Sequence, residues 1–144
     1  HLNSRGTLFG GQLLSWIDEE ASVYAGIQSG AELVLTKYIS EMDFKSPAYN
    51  GDVIEIGMEV IDSTRVSITL RCNVREARSK RQIVSIDRMV FIAIDERGRP
   101  TRNPLGTGVC ETDSWTDPSK SEKIAAKDVH IKLAKTVDSH KREP

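Results

Sequence analysis

The sequence is poor in the residues that usually carry metal or redox chemistry. Its 144 residues include two cysteines and three histidines. Cys72 and Cys110 fit no metal-ligand or redox spacing, so both are expected to be small, buried or partly buried thiols in a reducing compartment. His1, His130 and His140 fall into no triad or metal arrangement. Without a Ser-His-Asp or Cys-His pairing, neither cysteine reads as a nucleophile. An excess of one charge is also missing. The net charge is −1, which gives no electrostatic reason to expect nucleic acid or an anionic membrane as partner. No apolar run approaches the roughly 20 residues that span a bilayer. No signal peptide is visible, and the chain opens at His1 rather than Met. A cytoplasmic protein is the expectation. There is no internal repeat, and the length suits a single domain with a real core.

What is present is one helical segment followed by strands. Over residues 11–28, Leu14, Ile17, Ala21, Tyr24, Ala25 and Gln28 recur at helical spacing, and Ser29-Gly30 is a natural stop. Segments rich in β-branched residues with period-two alternation then follow. The first, 33–44, ends at Pro47 and the turn "YNGD". The second, 53–61, sets Ile54, Ile56, Met58 and Val60 on one face and ends at "DSTR". The third, 66–75, sets Val66, Ile68, Leu70, Cys72 and Val74 on one face. The basic loop "REARSKR" leads to the fourth, 82–94, closed by "DERGRP". Short turns imply antiparallel neighbours. The fold class is α+β, an antiparallel sheet wrapped around one long central helix and covering it from one side. Residues 1–103 are expected to form this domain. Residues 104–144 are a charged tail, rich in Lys, Ser and Asp. Within it, Val129, Leu133 and Val137 recur at i, i+4 over residues 121–137, leaving a surface helix and a disordered tail as the two readings.

Three consecutive acids, Asp18, Glu19 and Glu20, interrupt the helix. At 100° per residue its apolar stripe is centred between Ile17 and Ala21. Glu19 then points away, and Asp18 and Glu20 lie at the two edges. A carboxylate at such an edge is partly out of water, which makes it a usable base; the plainer reading is a solvated helix flank. Gly10-Gly11 favours the first. A helix N-terminus offers free N–H groups and a positive dipole end, and glycine lets a ligand come close. Asp18 lies about 10 Å further along the same helix, too far to act on a group held at that N-terminus. A second helix packed antiparallel would bring its own Asp18 there. The expectation is an active site shared between two subunits.

Three separated motifs, "NSRGTLFGGQLLSWIDE" (3–19), "FKSPAYNGD" (44–52) and "STRVSITLRCNV" (63–74), together resemble the hot-dog-fold acyl-CoA thioesterases, the acyl-CoA hydrolase branch. The resemblance covers roughly residues 1–100 and implies a long helix wrapped by an antiparallel sheet. It implies that Asp18 is the general base or nucleophile of thioester hydrolysis. It also implies that Asn3 helps hold the water or the thioester from the opposite subunit, and that Gly10 and Gly11 form an oxyanion hole, Gly11 foremost. The substrate would be acyl-CoA, giving free fatty acid and coenzyme A, with no metal and no other cofactor. The assembly would be a homodimer at minimum, with a hexamer built as a trimer of dimers favoured. Two departures stand out. Many members carry a strand before the asparagine loop, so either that strand lies outside this sequence or the sheet is one strand short. Many also have Gly before the arginine of the third motif, where this chain has Thr64 before Arg65.

The phosphates of coenzyme A would meet Arg65 and the loop cations Arg78, Lys80 and Arg81, with Ser67 and Thr69 lining the groove beside Arg65; an ordinary solvated basic loop is the alternative. Leu14, Tyr24 and Phe44 are candidates to set acyl length, and Trp16 to pack at an interface. A hydratase or dehydratase on the same fold would want a histidine near the helix start, and His1 lies outside it. A non-catalytic acyl-CoA or fatty-acid binding module, or a thioesterase acting on another acyl carrier, are the remaining alternatives.

Overall fold

In the computed structural model, residues 2–106 are described in full and 133–136 as backbone. The elements are α1 (Gly10–Ser29), β1 (Leu33–Ile39), β2 (Met42–Phe44), β3 (Val53–Ser63), β4 (Ser67–Glu76), β5 (Gln82–Ile94) and β6 (Leu133–Thr136). All pairings are antiparallel, in the order β1-β5-β4-β3-β6, and β2 continues along the same side of β5 as β1.

The helix ends where Gly30 turns left-handed at φ 69° and returns its N–H to the Gly26 carbonyl, a conformation that costs glycine no Cβ clash. One face buries Leu13, Ile17, Ala21, Tyr24 and Ala25. Leu13, not Leu14, begins the stripe, because 13, 17 and 21 form one i, i+4 row and Leu14 stands 100° to its side; Leu14 is half-buried. Against this row pack the inner faces of the sheet. Ile54, Ile56, Met58 and Val60 of β3 and Ile68, Leu70, Cys72 and Val74 of β4 are all buried, as their alternation predicts.

Two segments differ from expectation. The strand read over 33–44 is broken at Ser40-Glu41, opposite the exposed Asp87 and Arg88. Ser40 closes the gap: its N–H donates to the Arg88 carbonyl at 2.9 Å and its hydroxyl accepts from the Arg88 N–H at 3.1 Å. The helix read over 121–137 does not hold at its end, because Leu133–Thr136 is strand β6, paired with β3 from Val53↔Thr136 to Ile56↔Leu133. An open β3 edge is a template for backbone pairing, and a thin i, i+4 stripe gives a helix little to compete with. The rest of that segment, with His1, Cys110, His130 and His140, lies outside the described residues.

The outer face of β3 and β4 is charged, as expected of the polar side, yet much of it is out of water. Glu55 faces Arg75 and Glu59 faces Arg71 in register, with N–O separations of 2.6 and 2.9 Å. Such buried charges are tolerated because each has its partner. Apolar side chains are exposed on both α1 and β1: Val23 and Ile27 project from α1, and Leu33, Leu35 and Tyr38 from β1, whose outer edge is unpaired among the described residues.

The helix runs between the two ends of the sheet. At its N-terminal end the Leu8 N–H donates to Ala48, and Gly10 lies under the Phe44 ring. At its C-terminal end the Ser29 carbonyl accepts from Leu105, and Asn103 donates to the Arg65 carbonyl in the β3–β4 turn.

Candidate active site

Phe9 is the N-cap of α1 and supplies no side-chain hydrogen bond, and no acid occupies the first turn. That is unusual, since Ser, Thr, Asp or Asn normally satisfies the first N–H groups. Here the Phe9 carbonyl accepts from Gln12 and Leu13, both at 3.1 Å, while the N–H groups of Gly10 and Gly11 have no partner among the described residues. The two glycines differ in surroundings. A Cβ on Gly10 would stand 3.1 Å from the Phe44 ring, whereas nothing lies within 4 Å of one on Gly11. The backbone at Gly11 therefore borders open space.

Asp18 is half-buried at the edge of the core stripe, with Glu19 exposed beside it and Glu20 half-buried on the far edge, as the helical projection predicts. Its Oδ1 accepts a 2.8 Å hydrogen bond from the Thr36 hydroxyl. Oδ2 has no partner among the described residues. Thr36 stands at a β-bulge of β1, between Thr36 and Tyr38, and such bulges re-aim side chains next to functional sites. Sequence reasoning passed over Thr36. The signal available was a polar residue in phase with Val34 on the inward face of the first strand.

Asn3 organises its own loop. Its Oδ1 accepts from the N–H groups of Arg5 and Thr7 at 2.9 and 3.1 Å, and Nδ2 donates to the Thr7 hydroxyl at 2.6 Å. One Nδ2 hydrogen is left over. The loop is pinned where Thr7 bridges Tyr49, which ties the first and second motifs together ahead of the helix start.

The candidate cations do not form one group. Arg65 and Ser67 lie at the β3–β4 turn and Arg78, Lys80 and Arg81 at the β4–β5 turn, separated by the ten residues of β4, about 30 Å. Arg81 is already engaged. It donates to Asp52 at 2.7 Å, to Ser46 at 2.9 Å and to the Pro47 carbonyl, and it lies over the Tyr49 ring at 5.2 Å. It clamps the "FKSPAYNGD" loop to the start of β5. Lys80 adopts φ 62° and stands 3.5 Å from Glu55. Arg78 and Arg65 are exposed, and neither guanidinium has a partner among the described residues. The Ser67 hydroxyl pairs with that of Thr64 at 2.6 Å. Thr69 is buried. Thr64 fills the expected glycine position without a positive φ: its N–H donates to the Ser67 carbonyl at 2.8 Å, and its hydroxyl accepts from the Ser67 N–H at 3.1 Å.

The family model for the thioesterase superfamily matches residues 5–82. The chain belongs to the thioesterase superfamily. Its fold is the hot-dog fold, shared with solved acyl-CoA hydrolases. The acyl-CoA hydrolase of Staphylococcus aureus, solved with butyryl-coenzyme A, coenzyme A and coenzyme A disulfide, is 28% identical, with a TM-score of 0.64 over 72% of this chain and 62% of that one. The hexameric thioesterase of Yersinia pestis is 27% identical, with a TM-score of 0.67 over 72% of this chain and 86% of that one. The uncharacterized acyl-CoA thioester hydrolase YkhA of Bacillus subtilis is 28% identical over 115 residues, 77% of this chain and 64% of that protein. The chain spans only 18% of the mouse acyl-coenzyme A thioesterase 11, to which it is 27% identical over 108 residues. The S. aureus enzyme has also been solved with an asparagine, an aspartate and a threonine each replaced by alanine.

Among the described residues of this thioesterase-superfamily chain, no cluster of His, Cys, Asp or Glu is placed to hold a metal ion. No helix of the described residues is long and apolar enough to cross a membrane. Burial pushes the Cys72 thiol up to about 12, so it stays protonated and unreactive. Glu76 is the opposite case. The N–H and hydroxyl of Ser79 and the N–H of Arg78 all donate to its carboxylate, which lowers it from the usual 4.5 to about 2. It thereby folds the loop that carries Arg78, Lys80 and Arg81. Because the folded value is depressed, this stabilisation is present above about pH 4.5 and is lost as pH falls towards 2. Glu76→Gln is expected to lower Tm at pH 7, with the gap to wild type closing between pH 4.5 and 2. A gap that stays constant over that range in thermal melts would contradict this role.

Proposed function

We propose that the protein hydrolyses acyl-CoA to free fatty acid and coenzyme A, with Asp18 as general base. The observation that carries this reading is the state of the Asp18 carboxylate. Thr36 holds Oδ1 at 2.8 Å and leaves Oδ2 without a partner among the described residues. A carboxylate oriented through one oxygen can accept a proton from water through the other. The water oxygen attacks the thioester carbonyl, and the carbonyl oxygen becomes an oxyanion. The N–H of Gly11, without a partner among the described residues, and that of Gly10 beside it stabilise that charge at the helix N-terminus. Collapse of the tetrahedral intermediate breaks the C–S bond, and the thiolate takes up the proton held by Asp18. A thiolate is a good enough leaving group to need little further acid help.

The variants of the S. aureus enzyme support this assignment. Its substituted asparagine and aspartate are fifteen residues apart, the separation of Asn3 and Asp18 here. Its threonine follows the aspartate by seventeen, and Thr36 follows Asp18 by eighteen. Asn3 retains one amide hydrogen for the water or the thioester.

The site is shared between two subunits. Gly11 and Asp18 are about 10 Å apart along one helix, and an antiparallel partner helix brings Asp18 of one chain to Gly11 of the other. The apolar Val23 and Ile27 on α1 and the open edge of β1, with Leu33, Leu35 and Tyr38 exposed, are surfaces for such a partner to cover. The Y. pestis and other hexameric neighbours support further assembly into a trimer of dimers. In this arrangement Arg65, tied to the C-terminal end of α1, reaches towards the partner's helix N-terminus and meets coenzyme A phosphates. Arg78 and Lys80 approach from the other end, and Arg81 shapes the loop between them. A cytoplasmic location, as expected from the sequence, is part of this proposal.

Free-thiol release from acyl-CoA substrates of graded chain length tests the assignment. Asp18→Ala is expected to lower kcat by about 10²–10⁴-fold while acyl-CoA still binds. Thr36→Val, which frees Oδ1, is expected to lower kcat by roughly ten-fold with KM nearly unchanged. Full turnover in Asp18→Ala would sink the proposal, and saturable binding without turnover in the wild type would reassign the fold to acyl-CoA capture. Gly11→Ala puts a methyl group where nothing lies within 4 Å and should melt no lower than wild type, since alanine favours helix over glycine. It should nevertheless lose turnover, because that methyl occupies the space over the oxyanion N–H. Unimpaired hydrolysis by a folded Gly11→Ala enzyme would move the oxyanion site elsewhere.

A further inference from the structure

We propose that Asn103 is a positioning residue for Arg65, holding the β3–β4 turn in the shape that presents this guanidinium to the phosphates of the coenzyme A moiety. The inference rests on the reading of Arg65 as a phosphate-binding arm. Asn103 lies beyond all three sequence motifs, on the stretch after β5, and is 1% exposed. Its Nδ2 shares two hydrogens among three oxygens of the turn: the Ser63 hydroxyl at 2.9 Å, the Thr64 carbonyl at 3.1 Å and the Ser67 carbonyl at 2.9 Å. Its backbone N–H donates to the carbonyl of Arg65 itself at 2.7 Å. Its Oδ1 accepts from Leu105 at 3.0 Å.

One buried amide thus grips the chain before, at and after Arg65. With the carbonyls of Thr64, Arg65 and Ser67 drawn inward to Asn103, the exposed Arg65 side chain is left on the solvent side, without a partner among the described residues. A long cationic side chain on a mobile turn would lose much entropy on meeting a phosphate; a clamped backbone removes part of that cost in advance. The same segment fixes the turn to the helix. Leu105 donates to the Ser29 carbonyl at 3.1 Å, and Pro104 packs on Gly30. Ser29 lies about 16 Å along α1 from Asp18, a span on the scale of the pantetheine arm that separates the thioester from the phosphates. Asn103 therefore sets both the orientation of Arg65 and its distance from the reacting carbonyl. Nothing in its surroundings touches the thioester chemistry itself.

Steady-state kinetics with an acyl-CoA and with the corresponding acyl-pantetheine, which lacks the nucleotide phosphates, separate positioning from plain stability. Arg65→Ala and Asn103→Ala are each expected to raise KM for acyl-CoA about ten-fold, with kcat nearly unchanged and acyl-pantetheine kinetics unaffected. Combined, they should do no more than Arg65→Ala alone. If Asn103→Ala does not fold, Ser63→Ala, which removes one of the three oxygens, should raise KM in the same substrate-selective way. Equal losses on both substrates, or a fall in kcat, with Arg65→Ala still selective for acyl-CoA, would overturn the role of Asn103 and leave that of Arg65 standing. An unchanged KM in Arg65→Ala would overturn the phosphate reading, and this inference with it.

Discussion

The stiffness of one helix sets the terms for the rest of the site. α1 is buried along the row through Leu13, Ile17, Ala21 and Tyr24, and that row fixes its rotation against the sheet. Every other position on the helix follows from this rotation. Asp18 is held at the edge of the core, half out of water, Glu19 is turned away, and the open side of Gly11 faces space rather than protein. A helix does not bend to bring its second turn back to its first N–H groups. The donor pair and the carboxylate are each well placed, and within one chain they cannot act on the same atom. The apolar side of α1 and the edge of β1, unpaired among the described residues, stand where a second helix and strand would complete the arrangement.

The sheet contributes orientation rather than reactive groups. A bulge in β1 turns Thr36 onto Asp18. At one end, Arg81 ties the loop of the second motif to β5 by gripping Asp52, Ser46 and Pro47, and Glu76 folds the neighbouring turn. At the other, Asn103 folds the turn that carries Arg65. Charged or amide side chains with nearly full hydrogen-bond shells hold each end, while two exposed cations of these turns, Arg65 and Arg78, stay unengaged among the described residues. This division suits a ligand that is anionic at one end and reactive at the other.

Much of this was legible in the sequence, and the gaps have physical reasons. Helical periodicity locates α1 and the edge position of Asp18, because both depend only on residue spacing. Alternation gives the inner faces of β3 and β4 for the same reason. Thr36 was missed because its importance lies in a contact across eighteen residues, and a single threonine in a β-branched strand looks like propensity alone. The charge of Arg81 looked like a ligand site until its partners were visible. β6 was read as helix or tail because strand pairing to a distant edge leaves no local signal in four residues. Asn103 stands at the very end of the expected domain, outside all three motifs, and only the fold brings the turn of Arg65 onto its amide.

The most direct test of the shared site is complementation between two disabled chains. Asp18→Ala and Gly11→Ala variants would be co-expressed with different tags, the mixed dimers isolated, and thiol release from acyl-CoA measured beside each parent. A mixed dimer holds one site with both defects and one with neither, so activity well above both parents is predicted. Mixed dimers no more active than the parents would place Asp18 and Gly11 of the same chain in one site and contradict the account.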